Sequence, residues 1–129
     1  MPEACDVSLG DYGGDSPSNY HRSVLTARKP CRCYECGQAV HVGERYERIS
    51  GRWGREWIVY RFCAACSEIQ IEFSSGDRQF GTMWDDFVDN WSEGAHIQAC
   101  MNRVSTVAAK KKLHEKWLKW KGLDPAVGK

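Results

Sequence analysis

Seven cysteines are present, and four of them fall into two pairs with the same internal gap, Cys33-x-x-Cys36 and Cys63-x-x-Cys66. A two-residue gap lets both sulfurs of a pair turn towards one point, and two such pairs complete the tetrahedral thiolate shell that zinc prefers. Four thiolates also suit an iron–sulfur cluster. Gly37 directly after Cys36 favours zinc, because a tight knuckle with backbone amides aimed at sulfur needs a residue tolerant of positive φ. The expectation is one structural zinc on Cys33, Cys36, Cys63 and Cys66. Cys31 is a free thiol or a substitute for Cys33, although its longer gap to Cys36 suits a knuckle less well.

The elements that must position these sulfurs follow from the residues between and after them. Arg45 to Ile49 and Trp57 to Phe62 are rich in β-branched and aromatic residues, with Gly51-Arg-Trp-Gly54 between them as a turn. They read as a hairpin. After Cys63 the pattern becomes helical, with Ile69 and Phe73 four apart on one face. Knuckle, hairpin and a helix whose first turn supplies two ligands is a treble-clef arrangement, and the positive end of the helix helps hold thiolates deprotonated. Disulfides are not expected at these pairs, because a polar N-terminus without a secretion signal points to a reducing cytoplasm.

At these residues a resemblance appears. Ala27-Arg-Lys-Pro30, Cys33-Tyr-Glu-Cys-Gly37, Gly43-Glu-Arg-Tyr-Glu-Arg48 and Phe62-Cys-Ala-Ala-Cys66, with the opening Ala4-Cys5-Asp6, resemble small cysteine-paired proteins of tailed phages and prophages. The match covers residues 1 to 70, strongly only 27 to 66, and leaves the chain beyond residue 95 outside it. The resemblance implies a treble-clef zinc site and a phage or prophage origin. It implies no activity.

The whole chain of 129 residues suits an α+β fold of one domain with a modest core, a size at which a metal commonly serves as a staple. Within it, residues 1–26 read as an N-terminal arm, 27–75 as the treble-clef zinc module, and 76–129 as a helical part packed on it. Tyr20 to Ala27 adds a strand on the way into the knuckle. No apolar run is long enough to span a membrane. Net charge is +1 but banded: four acids and no base in residues 1–20, nine bases against four acids in 21–66, seven acids against one base in 67–96, and eight bases against two acids in 97–129. Such banding more often reflects complementary packing than a functional field.

In the helical part, Gly76 and Gly81 bracket a loop, and Thr82-Met-Trp-Asp85 has capping-box spacing. Trp84, Phe87, Val88 and Trp91 share one face and read as core, with Gly94 as the stop. Ala95 to Lys121 reads as one long helix, stopped by Gly122 and Pro125. Ile97, Met101, Val104 and Ala108 form one stripe, and at 100° per residue Leu113, Trp117 and Trp120 fall almost opposite. These three are therefore expected as an intermolecular surface, in a homodimer or against a partner, unless the helix breaks near Lys110 and folds its end back. The hairpin tip, with Arg52, Trp53 and Arg55, is the other candidate contact site, and Trp53 between two glycines is expected to be exposed.

Catalytic patterns are sparse. His41 follows the knuckle, but the helix after Cys66 offers Glu68 and Glu72 and no histidine, a poor match to a ββα-metal nuclease. His96 and Cys100, four apart on a predicted helix, could form half of a second metal site that Cys5 and Cys31 would complete; a buried Cys100 beside a hydrogen-bonded His96 is preferred. Asp85, Asp86 and Asp89 suit a helix start better than a magnesium site. No phosphate-loop, dinucleotide or serine-hydrolase motif occurs, so a non-enzyme is expected.

Two functions remain. The first is a phage-type accessory module that occupies a surface of a host or defence protein, a reading that follows from the resemblance. The second is a nucleic-acid-binding zinc module, using Arg45, Arg48, Arg52, Arg55 and Arg61 with Trp53 and Trp57 interleaved, and the lysines near the C-terminus.

Overall fold

The computed structural model describes Cys5 and residues 17–74 and 80–122. The acidic stretch of the N-terminal arm, Gly76 and Pro125 lie outside these. Five strands and four helices run in the order β1 (Ser18–Thr26), β2 (Cys31–Arg32), β3 (Ala39–Val40), β4 (Arg45–Trp53), β5 (Glu56–Cys63), α1 (Ala64–Phe73), α2 (Met83–Ser92), α3 (Ile97–Met101) and α4 (Val107–Lys121). This is the expected mixture of α and β. The long strands form one antiparallel sheet in the order β1-β4-β5, and β2 pairs with β3 in a two-residue ribbon.

Register decides which side chains share a face, because paired residues point the same way and neighbours along a strand alternate. Glu47 pairs with Phe62 and Ile49 with Tyr60, and this inner face meets the helices. Tyr46, Arg48 and Arg52 of β4 lie on the other face with Trp57, Val59 and Arg61 of β5. Ile49, Phe62, Ile69, Phe87 and Leu113 are fully buried in one core that draws on sheet and helices together. Glu47 is buried as well, and the Arg22 guanidinium of β1 pairs with its carboxylate.

Three expectations about the hairpin and the start of α2 change. The strands run on through Gly51 to Trp53, and the turn is at Gly54-Arg55. Gly51 is needed for packing instead, since a Cβ there would meet the Trp53 ring at 3.2 Å and the Ser18 carbonyl at 3.3 Å. Trp53 is not an exposed tip. It is half-buried, with its ring 5.3 Å from Tyr60 and 6.3 Å from Phe80. Thr82 holds the N-cap position of α2 but makes no side-chain cap. The Glu35 carboxylate does this from the knuckle, accepting from Gly81 N at 2.8 Å and Met83 N at 3.3 Å.

The long C-terminal helix is two helices, broken at 102–106 rather than at Lys110. Both ends at the break are capped by distant or charged groups. Lys110 Nζ donates to the carbonyls of Met101 at 2.9 Å and Val104 at 2.6 Å, satisfying chain ends that a continuous helix would have used itself. Thr106 caps α4 through Ala109 N, and Glu68 of α1 accepts from Ser105 N and Thr106 N. The break turns the second apolar stripe inward. Leu113 is fully buried, Trp117 and Trp120 are half-buried against the core, and Trp120 lies 6.0 Å from Trp91. The surface expected from Leu113, Trp117 and Trp120 is thus core packing, and the reason for a homodimer through it falls away. Among the described residues no helix is long and apolar enough to cross a membrane.

Candidate metal centre

Cys33 and Cys36 flank the knuckle between β2 and β3, whose reversal needs Gly37 at φ +73°. Gly37 N closes it on the Cys33 carbonyl at 2.9 Å, and Cys33 N donates to Gln38 O at 2.9 Å. Cys63 ends β5 and serves as the N-cap of α1, its sulfur accepting from Cys66 N at 3.4 Å. Cys66 lies one turn in. The four sulfurs all come within 4.8 Å of one another. Cys36 Sγ and Cys63 Sγ are 3.9 Å apart, close to the ~3.8 Å edge of a tetrahedron with metal–sulfur bonds of ~2.3 Å. The donor set therefore fits a structural metal ion. Cys33 and Cys66 are buried, whereas Cys36 and Cys63 are half-buried.

Without a cation the four sulfurs compete for protons. Hydrogen bonding with Cys33 holds the Cys36 thiol far below the ordinary thiol range and pushes Cys63 and Cys66 well above it. A divalent ion removes the competition by stabilising all four thiolates together.

One residue at the centre carried no signal in the sequence. Lys112 of α4 is only 7% exposed. Its ammonium donates to Cys36 Sγ at 3.6 Å and to the side-chain oxygen of Gln38. Burial alone would lower the lysine, but the charge on Cys36, Cys63 and Cys66 outweighs it and raises the group above its ordinary value. A four-thiolate centre with a divalent ion carries a net charge of −2, so one buried ammonium balances half of it. The run Lys110-Lys111-Lys112 is therefore three separate jobs: a helix cap, an exposed side chain and a counter-charge.

Cys31 is free and half-buried in β2 and takes no part in the four-sulfur group. The second metal site is overturned, because Cys5 and Cys100 are joined in a disulfide with Cα atoms 5.1 Å apart. Their sulfurs are committed to each other, and Cys100 is a buried half-cystine where a thiol was expected. His96 instead caps α3, its Nδ1 accepting from Gln98 N at 3.1 Å. Arg103 fastens the same corner, lying 4.0 Å over the Phe73 ring and donating to the Cys5 carbonyl at 3.1 Å. His41 is exposed after β3, with its amide on the Glu44 carboxylate.

The remaining candidate contact residues sit on the sheet. Arg52 and Arg55 are exposed near the hairpin turn. Trp57, opposite Arg52, is 54% exposed and stands on the outer face. The aromatic side chain open to a partner on this hairpin is thus Trp57, and Trp53 belongs to the interior aromatic group. Alternation along β5 from the buried Phe62 places Trp57 outward, a signal that the glycine flanks of Trp53 obscured.

No protein-family model, curated protein or solved structure matches the chain.

Proposed function

We propose that this chain is a zinc-stapled, non-catalytic module of treble-clef type whose outer sheet face binds nucleic acid. Zinc is favoured by an all-thiolate set at tetrahedral spacing on a glycine knuckle. The treble-clef reading rests on the order of knuckle, β4–β5 hairpin and α1, with Cys63 and Cys66 at the start of that helix.

The observation that carries the binding function is the outer face of β1-β4-β5. Arg48 stands directly opposite Arg61, and Arg52 opposite the exposed Trp57. Among the described residues that the register places on this face there is no carboxylate: the others are Ser18, His21, Ser23 and Leu25 of β1 with Tyr46, Ser50, Val59 and Cys63. Like charges directly opposite across strands destabilise a sheet. A polyanion laid over the face offsets that repulsion and releases its own counterions on binding.

Retention on an immobilised polynucleotide under a salt gradient tests this. The wild type should bind with a logarithmic affinity that falls linearly with log salt, and Arg48→Ser/Arg61→Ser should lower that slope by about 2. An unchanged slope in the double variant, or no retention of the wild type, overturns the assignment. Retention on an acidic protein surface but not on the polynucleotide would assign the face to a protein partner, the other occupant expected from the sequence.

A further inference from the structure

We infer that the nucleic acid taken by this face is single-stranded, with Trp57 stacking on an unpaired base and the groove at the far end of β5 holding phosphates. This rests on the nucleic-acid reading above and narrows it.

Shape is the first reason. The ~12 Å major groove of a duplex admits a helix or a two-stranded ribbon. Here Arg48, Arg52 and Arg61 of β4 and β5 stand on the face of a three-stranded sheet, with β1 alongside, and that sheet is too broad to enter. A duplex would meet only its rim. An extended single strand can lie along it.

The second reason is Trp57. The residue is 54% exposed on the outer sheet face, opposite Arg52. An indole there has no base to stack on unless the base is unpaired, and base–aromatic stacking is the sequence-tolerant element of single-strand recognition.

The third reason is what lies further along the strand. A groove of about 640 Å³ is bounded by Arg28, Lys29 and Arg61, with Tyr46 and Leu25 as its apolar wall. Tyr46, Leu25 and Arg61 all belong to the outer face by register, so groove and Trp57 share one surface. From Trp57 to Arg61 is four strand residues, or ~13 Å at ~3.3 Å per residue. Phosphates recur every ~3.4 Å along a duplex strand and more widely along an extended one, so that span covers fewer than about four nucleotides. Cations at one end and a stacking ring at the other match one short stretch of strand.

Fluorescence anisotropy with a labelled 12-nucleotide single strand and a blunt duplex of the same length decides it, each measured with wild type, Trp57→Ala, Trp57→Phe and Arg61→Gln. The single strand should bind at least tenfold more tightly than the duplex. Trp57→Ala should weaken single-strand binding about tenfold with an unchanged salt slope, and Trp57→Phe should recover most of that loss. Arg61→Gln should lower the salt slope by about 1. Because Trp57 is exposed, an unchanged melting temperature is expected in its variants. Equal or tighter duplex binding, or a silent Trp57→Ala, overturns the single-strand inference while leaving nucleic-acid binding standing. Binding of neither form overturns both.

Discussion

Between Cys31 and Val40 the chain has two strands of two residues each and a tight knuckle, and little but Cys33 and Val40 is buried there. Between Met83 and Leu113 nearly every turn buries a large side chain, among them Met83, Phe87, Trp91, Ile97, Val104 and Leu113. A two-residue ribbon has no independent stability in water, so its geometry depends on four sulfurs meeting at a point. The helical region instead has aromatic area, with Phe87 packed 4.9 Å from Phe73, 5.3 Å from Trp84 and 5.6 Å from Trp91. One region is specified by ligand chemistry, the other by packing. Polar contacts across the boundary join them: Glu35 to the start of α2, Lys112 to Cys36, and Glu68 to the start of α4.

The largest expected effect is on the knuckle. Cys36→Ser should abolish stoichiometric metal binding, since structural metal sites in small folds contribute roughly 10 kcal/mol or more. Metal analysis should fall from one ion per chain to near zero, with loss of the native near-UV signal. Cys31→Ser should keep the full metal content, because its sulfur lies outside the group of four. Metal retained in Cys33→Ser and lost in Cys31→Ser would reverse the ligand choice.

A smaller and different loss is expected from Phe87→Ala. Deleting a fully buried phenylalanine costs about 3–5 kcal/mol through lost transfer energy and the cavity left behind. The melting temperature should drop by roughly 15 °C, while the folded protein at 20 °C still carries one metal ion. Loss of metal together with Phe87 would erase the distinction between the regions.

The same difference explains what could be read from sequence. Ligand chemistry is local, so Cys33, Cys36, Cys63 and Cys66 announced themselves by spacing, and the strand–strand–helix order around them followed from residue type. Packing is not local. Nothing in Ala95 to Lys121 shows that Glu68, far back in α1, would start a new helix at Thr106. Without that break the 100° periodicity puts Leu113, Trp117 and Trp120 on the wrong side. Glu35 and Lys112 were equally silent, because a long-range cap or counter-charge leaves no period in the chain. Cys5 and Cys100 stand 95 residues apart, and spacing carries no information at that separation.

The smallest effect is expected where the two kinds of stabilisation meet, at Glu68. Its carboxylate accepts from Ser105 N at 2.7 Å, Thr106 N at 3.2 Å and Thr106 Oγ1 at 2.5 Å, and so holds the start of α4 at the break. Burial acts to raise this carboxyl group, but the Thr106 hydroxyl and the two amides outweigh it and hold it below the usual glutamate value. A folded pKa below the unfolded one stabilises the protein above the unfolded value, ~4.3. That contribution is lost as pH falls through the folded value, where both states bind the proton. The group is only partly buried, so the effect is that of an ordinary cap. Glu68→Ala should cost about 1 kcal/mol at pH 7, or about 4 °C in melting temperature. The difference between wild type and Glu68→Ala, taken at each pH so that any acid effect on the metal cancels, should shrink below pH ~4.3. Glu68→Gln should recover part of the loss at pH 7, because one acceptor oxygen remains, and should show a weaker change with pH. A gap that stays constant or widens on acidification would mean that the charge contributes nothing, and that α4 is held at its start by Thr106 and the packing of Leu113 alone.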